Sequence, residues 1–197
     1  MANMRPLDPS SLPDDIRERF EHYRKTRGFT PNSIQTMARR PDIVRAFMQL
    51  NQAVLYEGTV SAELKMLVSL IASQAAGCRY CQAHMANLAD IYEASRDKIA
   101  AVWEFETSDQ FSASERAALR VACFGAMSPS QATEEHFDEL YKHFDEGQVV
   151  EIVASLALFG FLNRWNDTMA TELEGRPSEV AAATIGGAFG WEPGKHG

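Results

Sequence analysis

Two of the chain's three cysteines and one of its five histidines fall within eight residues, Gly77-Cys78-Arg79-Tyr80-Cys81-Gln82-Ala83-His84. At ~100° per residue, two cysteines separated by two positions lie about one helical turn apart, so a helical segment puts both sulfurs on one face. They can then close a short disulfide ring. A helix start adds partial positive charge, and CxxC thiols in such a place fall from ~8.5 towards 7 or below. His84 follows Cys81 by three positions and returns over the same face, bringing a group that titrates near neutrality beside the second sulfur. The pattern predicts a redox-active dithiol with an imidazole that moves protons.

Plainer readings exist for each of these residues. Four-ligand zinc needs a second cysteine or histidine pair at recognisable spacing, and the chain has none. Cys78, Cys81 and His84 with Cys123 or another histidine is the metal reading that remains, and a pair of buried structural thiols is the other. His84 can equally cap a buried polar contact, and Tyr80 can line a pocket or sit in the core. We expect no metal and no cofactor. Cys123, among Val121, Ala122 and Phe124, reads as a small buried side chain, and His136 and His143, flanked by acids, as surface residues.

The elements that must hold this site are helical. Ser10-Ser11-Leu12-Pro13-Asp14-Asp15 starts a first helix that ends near Gly28, and Thr30-Pro31 restarts the chain. Pro41-Asp42 leads into Ile43, Val44, Phe47, Leu50, Val54 and Leu55 at three and four spacings, up to Gly58. Ser61-Ala62-Glu63 opens a helix whose Leu64, Leu67, Val68, Leu70 and Ile71 surround most of its circumference, which predicts burial on several sides. Met85, Leu88, Ala89 and Tyr92 continue the helical stripe after the dithiol, and Ser95 caps a short helix. Ser112 and Glu115 form a capping-box pattern, and Thr133 caps the stretch through Phe144. Gly147 introduces a long segment from Val149 to Ala170. Asn163 to Asp167 interrupts it with polar residues, of which Asn163 or Trp165 is a candidate to reach a substrate pocket. From Gly175 on, that glycine, five more glycines and two prolines read as a loosely structured arm that can wrap a neighbour.

No alternating strand pattern appears, so the expected fold is all-α: a multi-helix bundle forming one domain over 1–197, with its core at about 41–170 and the arm at 175–197. Glu63 and Leu67 recur as Glu115 and Leu119, both offset by 52, a short echo of one helical hairpin in a second.

A chain of 197 residues with 45% hydrophobic and 23% charged residues can bury a full core. A net charge of -8 excludes an attractive surface for nucleic acid or anionic membrane. The first fifteen residues lack the apolar core of a signal peptide. The longest apolar run, Val149 to Leu162, contains Glu151 and is shorter than a bilayer span. The expectation is a cytoplasmic protein without nucleic-acid or membrane partners. In a reducing compartment a CxxC reads as catalytic or metal-binding rather than as a structural bridge. The apolar excess of the long helix and of the Phe159 to Trp165 aromatics predicts a homo-oligomer.

The stretch Ala76-Gly77-Cys78-Arg79-Tyr80-Cys81-Gln82-Ala83-His84 resembles the alkylhydroperoxidase D-like members of the carboxymuconolactone decarboxylase family, in particular their peroxidase-related branch. The segments from His143 to Ile152 and from Phe159 to Asp167 carry the resemblance into the second half. It implies an all-helical fold, oligomeric assembly and a thiol-dependent peroxidase that takes a hydroperoxide substrate and an external dithiol reductant. It also implies that Cys81 attacks the peroxide, that Cys78 resolves the intermediate and that His84 shuttles the proton; the thioredoxin comparison would exchange the two cysteines. The family places its histidine four residues after the second cysteine, where this chain has Met85, and a relay glutamate twelve residues before the first, where it has Met66. Glu63, one turn earlier, is the candidate to stand in. A decarboxylase-like enzyme and a non-catalytic redox-sensing or binding module are the rival readings on the same fold.

Overall fold

The computed structural model describes residues 2–197, and among them lie ten α-helices and no strand. They are α1 Asp14–Arg27, α2 Asn32–Met37, α3 Pro41–Tyr56, α4 Ala62–Ala75, α5 Arg79–Ile91, α6 Arg96–Ala100, α7 Ala113–Gly125, α8 Glu134–Tyr141, α9 Glu146–Met169 and α10 Gly175–Phe189. Short 3-10 turns occupy Pro9–Ser11, Val102–Glu104 and Gly194–His196.

Side-chain caps set several of the starts. Ser61 accepts from the Leu64 amide, Ser95 from the Lys98 amide, and Ser112 and Glu115 close the capping box that their spacing foretold. The α9 start differs from expectation. Asp145 and Gln148 form a reciprocal box, so the helix begins at Glu146, ahead of the glycine assigned to its entry. Ser10 and Ser11 lie in the 3-10 turn and cap nothing; Pro13 holds the N-cap of α1, with Asp14 and Asp15 in the first turn.

Helix α4 is the axis of the bundle, with α5, α7 and α9 packed around it. Every residue from Leu64 to Ser73 is buried, and a leucine or isoleucine wholly removed from water contributes about 1.5–3 kcal/mol. Its one buried cation, Lys65, pairs with Glu151 of α9 at 2.8 Å and reaches the Glu57 carbonyl. Glu151 also accepts the amides of Thr59 and Val60. Burial opposes ionisation of Glu151, but Lys65 and these amides hold its carboxyl down at about 2. The two helices whose starts echo each other, α4 and α7, pack side by side, and their first-turn acids Glu63 and Glu115 share Lys98.

Helix α9 is long and apolar enough to cross a bilayer by length and composition alone. In the fold it packs against α3, α4, α5 and α7, with Ile152, Leu158 and Phe159 in the core.

The chain after Gly175 corrects the expectation of a loose arm. It forms α10, which packs on α5 and buries Val180, Ala181 and Ile185. Its end folds back: Leu173 N–H donates to the His196 carbonyl at 2.8 Å, and the Trp191 indole donates to the Arg79 carbonyl at 3.3 Å. The C-terminal segment thereby clamps the helix that carries the dithiol.

Candidate active site

The turn between α4 and α5 builds the dithiol. Gly77 has φ +75°, the left-handed conformation that ends a helix most easily without a Cβ. Its amide bonds the Gln74 carbonyl and the Cys78 amide bonds the Ser73 carbonyl, the crossed pair of a Schellman motif. The residue after the glycine is therefore delivered straight into the N-cap of α5, and that residue is Cys78. Cys81 follows in the first turn. Both are free thiols, buried and hydrogen-bonded to each other.

The two sulfurs differ electrically. The hydrogen bond from Cys81 lowers the Cys78 thiol pKa; burial opposes this, and the Cys81 and Tyr80 amides at the helix start add to the lowering without forming a closed cap bond. Burial pushes the Cys81 thiol well up, with the Cys78 hydrogen bond and charge acting the same way, while the Asn166 amide opposes them. Asn166 Nδ2 donates to Cys81 Sγ at 3.4 Å. The pair thus carries its more acidic thiol on Cys78 and its less acidic one on Cys81.

Access favours the other cysteine. Cys81, with His84, Tyr80, Asn166, Ser33 and Phe159, lines a cavity of about 50 Å³. Arg27, Tyr23 and Tyr56 close the same cavity, with the Arg27 guanidinium 4.6 Å from the Tyr23 ring centroid and hydrogen-bonded to the Tyr56 hydroxyl. Cys78 does not line it.

His84 is nearly buried and stacks on Tyr80 at 4.3 Å between ring centroids. Its Nε2 meets Glu174 Oε2 at 2.6 Å, and the Tyr80 hydroxyl donates to Glu174 Oε1 at 3.0 Å. The same hydroxyl accepts the Ser33 amide at 3.2 Å, and the Asn32 amide donates to Glu174. Burial works against ionisation of Glu174, but the charge and hydrogen bond of His84 and the Asn32 amide outweigh it and leave the carboxyl below its ordinary range.

Cys81 and His84 line one cavity together with Tyr80, and Cys78 stands at the N-cap of the same helix. Glu63 lies apart from them. It sits in the first turn of α4, some twelve residues and about 18 Å of helix away from the dithiol turn, and pairs with Lys98 at 2.9 Å. Met66, in the relay position, is wholly buried. Of the polar cluster on α9, Asn166 reaches the sulfur, whereas Trp165 bonds Thr36 and Asn163 is buried without a polar partner. Sequence reasoning passed over Asn166 and Glu174, and only Asn166 carried a signal, as part of a polar interruption in an apolar helix. Among the described residues no cluster of three or more His, Cys, Asp or Glu could hold a metal ion.

The chain matches the family model described as "Carboxymuconolactone decarboxylase family" over residues 41–123, which spans α3 to α7 and includes the dithiol. It is 37% identical to the debrominase Bmp8 in a crystal complex with 2,3,4-tribromopyrrole, with a TM-score of 0.85 and coverage of 91% of this chain and 96% of that one. It is 26% identical to an uncharacterised peroxidase-related protein with an alkylhydroperoxidase AhpD core from Ralstonia eutropha JMP134, with a TM-score of 0.80 and coverage of 89% and 94%. A peroxidase-related protein from a Silicibacter species shares the fold at 18% identity, with a TM-score of 0.74 and coverage of 81% and 85%. No curated protein sequence matches the chain. Likeness over nearly the whole length, together with the family model across the dithiol helices, shows that this chain belongs to the carboxymuconolactone decarboxylase family, among its alkylhydroperoxidase D-like members.

Proposed function

We infer that the protein is a thiol-dependent reductase in which Cys81 and Cys78 together deliver two electrons to a small hydroperoxide. The observation that carries this reading is the division of labour between the sulfurs: Cys81 lines the cavity beside His84, and Cys78 is bonded to it from the helix start. Because burial opposes ionisation of Cys81, it needs a base, and His84 is the imidazole that shares its cavity. The Cys81 sulfur attacks the terminal peroxide oxygen, the O–O bond breaks, and the alcohol leaves with the proton that Cys81 gave up. Cys78 then attacks the resulting sulfenic acid, the S–S bond forms and water departs. An external dithiol reduces the disulfide and restores both thiols.

A second reading takes the same electrons to a carbon–halogen bond. It is favoured by the likeness to a debrominase and by the aromatic lining of the cavity from Tyr23, Phe47, Tyr56 and Phe159. The sulfur would take the halogen, the ring carbon would take a proton, and the second thiol would close the disulfide as halide leaves. Volume favours the first reading. About 50 Å³ holds a hydroperoxide head, whereas a single benzene ring occupies a cavity of about 150 Å³. A brominated ring requires the cavity to widen.

The test supplies cumene hydroperoxide, hydrogen peroxide and 2,3,4-tribromopyrrole in turn, with dithiothreitol as reductant, and follows substrate loss. The expected result is hydroperoxide reduction that disappears in Cys81→Ser and in Cys78→Ser. Debromination with no peroxide turnover would select the second reading, and turnover that survives Cys81→Ser would end both.

A further inference from the structure

We propose that Glu174 is the positioning residue of this site: it holds the Nε2–H of His84 and so leaves Nδ1 as the nitrogen that takes the Cys81 proton. This inference rests on the thiol-reductase reading and supplies the carboxylate that neither Met66 nor Glu63 provides.

Glu174 occupies the N-cap of α10, where a carboxylate ordinarily turns back on the free amides of its own helix. Here it makes no such bond. Its two oxygens instead engage His84, ninety residues earlier in the chain, along with Tyr80 and the Asn32 amide. A side chain that gives up its own helix start to gather an imidazole, a phenol and a loop amide fixes the ring from outside α5. Tyr80 completes the hold by stacking on the imidazole face while its hydroxyl bonds the same carboxylate. Among the described residues the hydrogen bond of the His84 ring is made through Nε2, which leaves Nδ1 as the nitrogen for exchange. A carboxylate that orients a histidine and stabilises its protonated form is a recurring second partner in nucleophile activation.

The charged and titratable groups around the pair are few. Tyr80 and Cys81 lie on α5, and Arg27, Tyr23 and Tyr56 face the cavity from α1 and α3. His196 lies behind Tyr80 at 5.9 Å between ring centroids, and Asp167 of α9 acts on both sulfurs. Of the cations among these, Arg27 is already engaged with Tyr56.

The experiment combines nitrogen-15 histidine NMR, which reads the tautomer, with the pH profile of peroxide turnover for wild type, Glu174→Gln and Glu174→Asp. We expect the Nε2–H form of neutral His84 in wild type. In Glu174→Gln we expect a changed tautomer ratio, a fall of about 10²-fold or more in turnover, and an altered pH profile. Partial recovery is expected in Glu174→Asp. A Glu174→Gln protein with wild-type turnover and pH profile overturns the proposal, as does a wild-type His84 protonated on Nδ1 alone. The wild-type spectrum decides even if Glu174→Gln fails to fold. It also decides independently of catalysis: a wild type that reduces no substrate refutes the reductase reading, while the tautomer still reports whether Glu174 holds His84.

Discussion

Replacing Asn166 by leucine removes the amide donor that, among the described residues, stabilises the Cys81 sulfur as an anion. Asn166 is 1% exposed, its Nδ2 lies 3.4 Å from Sγ, and its Oδ1 has no partner. Burial and Cys78 both push the Cys81 thiol up, and the Asn166 amide is the hydrogen bond that opposes them. A hydrogen bond to a charged group nets ~1.5–3 kcal/mol. At ~1.4 kcal/mol per factor of ten, its loss lowers the thiolate available at fixed pH by about 10- to 150-fold. Leucine has a similar shape and also removes the orphaned Oδ1, so the variant should unfold no earlier than wild type. The assay is the second-order rate of iodoacetamide addition to Cys81 near neutrality, read from the Cys81 peptide by mass spectrometry. A folded Asn166→Leu protein that alkylates as fast as wild type, or faster, would refute the assignment of Asn166 as the sulfur's donor.

Glu151→Gln leaves the Lys65 ammonium, 1% exposed, without its partner, at a cost of ~3–5 kcal/mol. Thermal unfolding should then come about 6–20 °C earlier in a chain of this size. Because folding depresses the Glu151 carboxyl from 4.5 to about 2, its contribution is complete above pH 4.5 and is lost as pH falls through 2, so the deficit should shrink in that window. Gly77→Ala forces a side chain onto φ +75°; we expect a loss of roughly 1–2 kcal/mol in chemical denaturation, with turnover reduced because the same turn delivers Cys78. Glu63→Gln, which breaks only a partly exposed pair with Lys98, should leave turnover unchanged and stability within ~1 kcal/mol. A large activity loss there would return Glu63 to the proton path.

What could be read in advance was whatever is written in local spacing. Ser61, Ser95 and Ser112 declare their helices because a cap and its amide lie within one turn. Cys81 and His84, three positions apart, line one cavity for the same reason. Glu63 misled because periodicity along one helix fixes angle and says nothing of which end of the helix meets the site. Glu174 was invisible: its partners lie ninety or more residues earlier, and a glutamate before Gly175 reads as ordinary surface. The C-terminal helix was missed because Gly186 and Gly187 weigh against helix propensity, while its packing on α5 is a tertiary gain that outweighs it. Asn166 lay within the polar cluster, but its one-turn offset from Asn163 is resolved only by where α9 passes α5.

The most direct test of two sulfurs acting together is a count of free thiols in the reduced protein before and after one equivalent of cumene hydroperoxide. We expect two thiols to disappear, to return with excess dithiothreitol, and to map by mass spectrometry to a Cys78–Cys81 disulfide. Retention of all three thiols, or oxidation confined to Cys123, would contradict a dithiol cycle at this site.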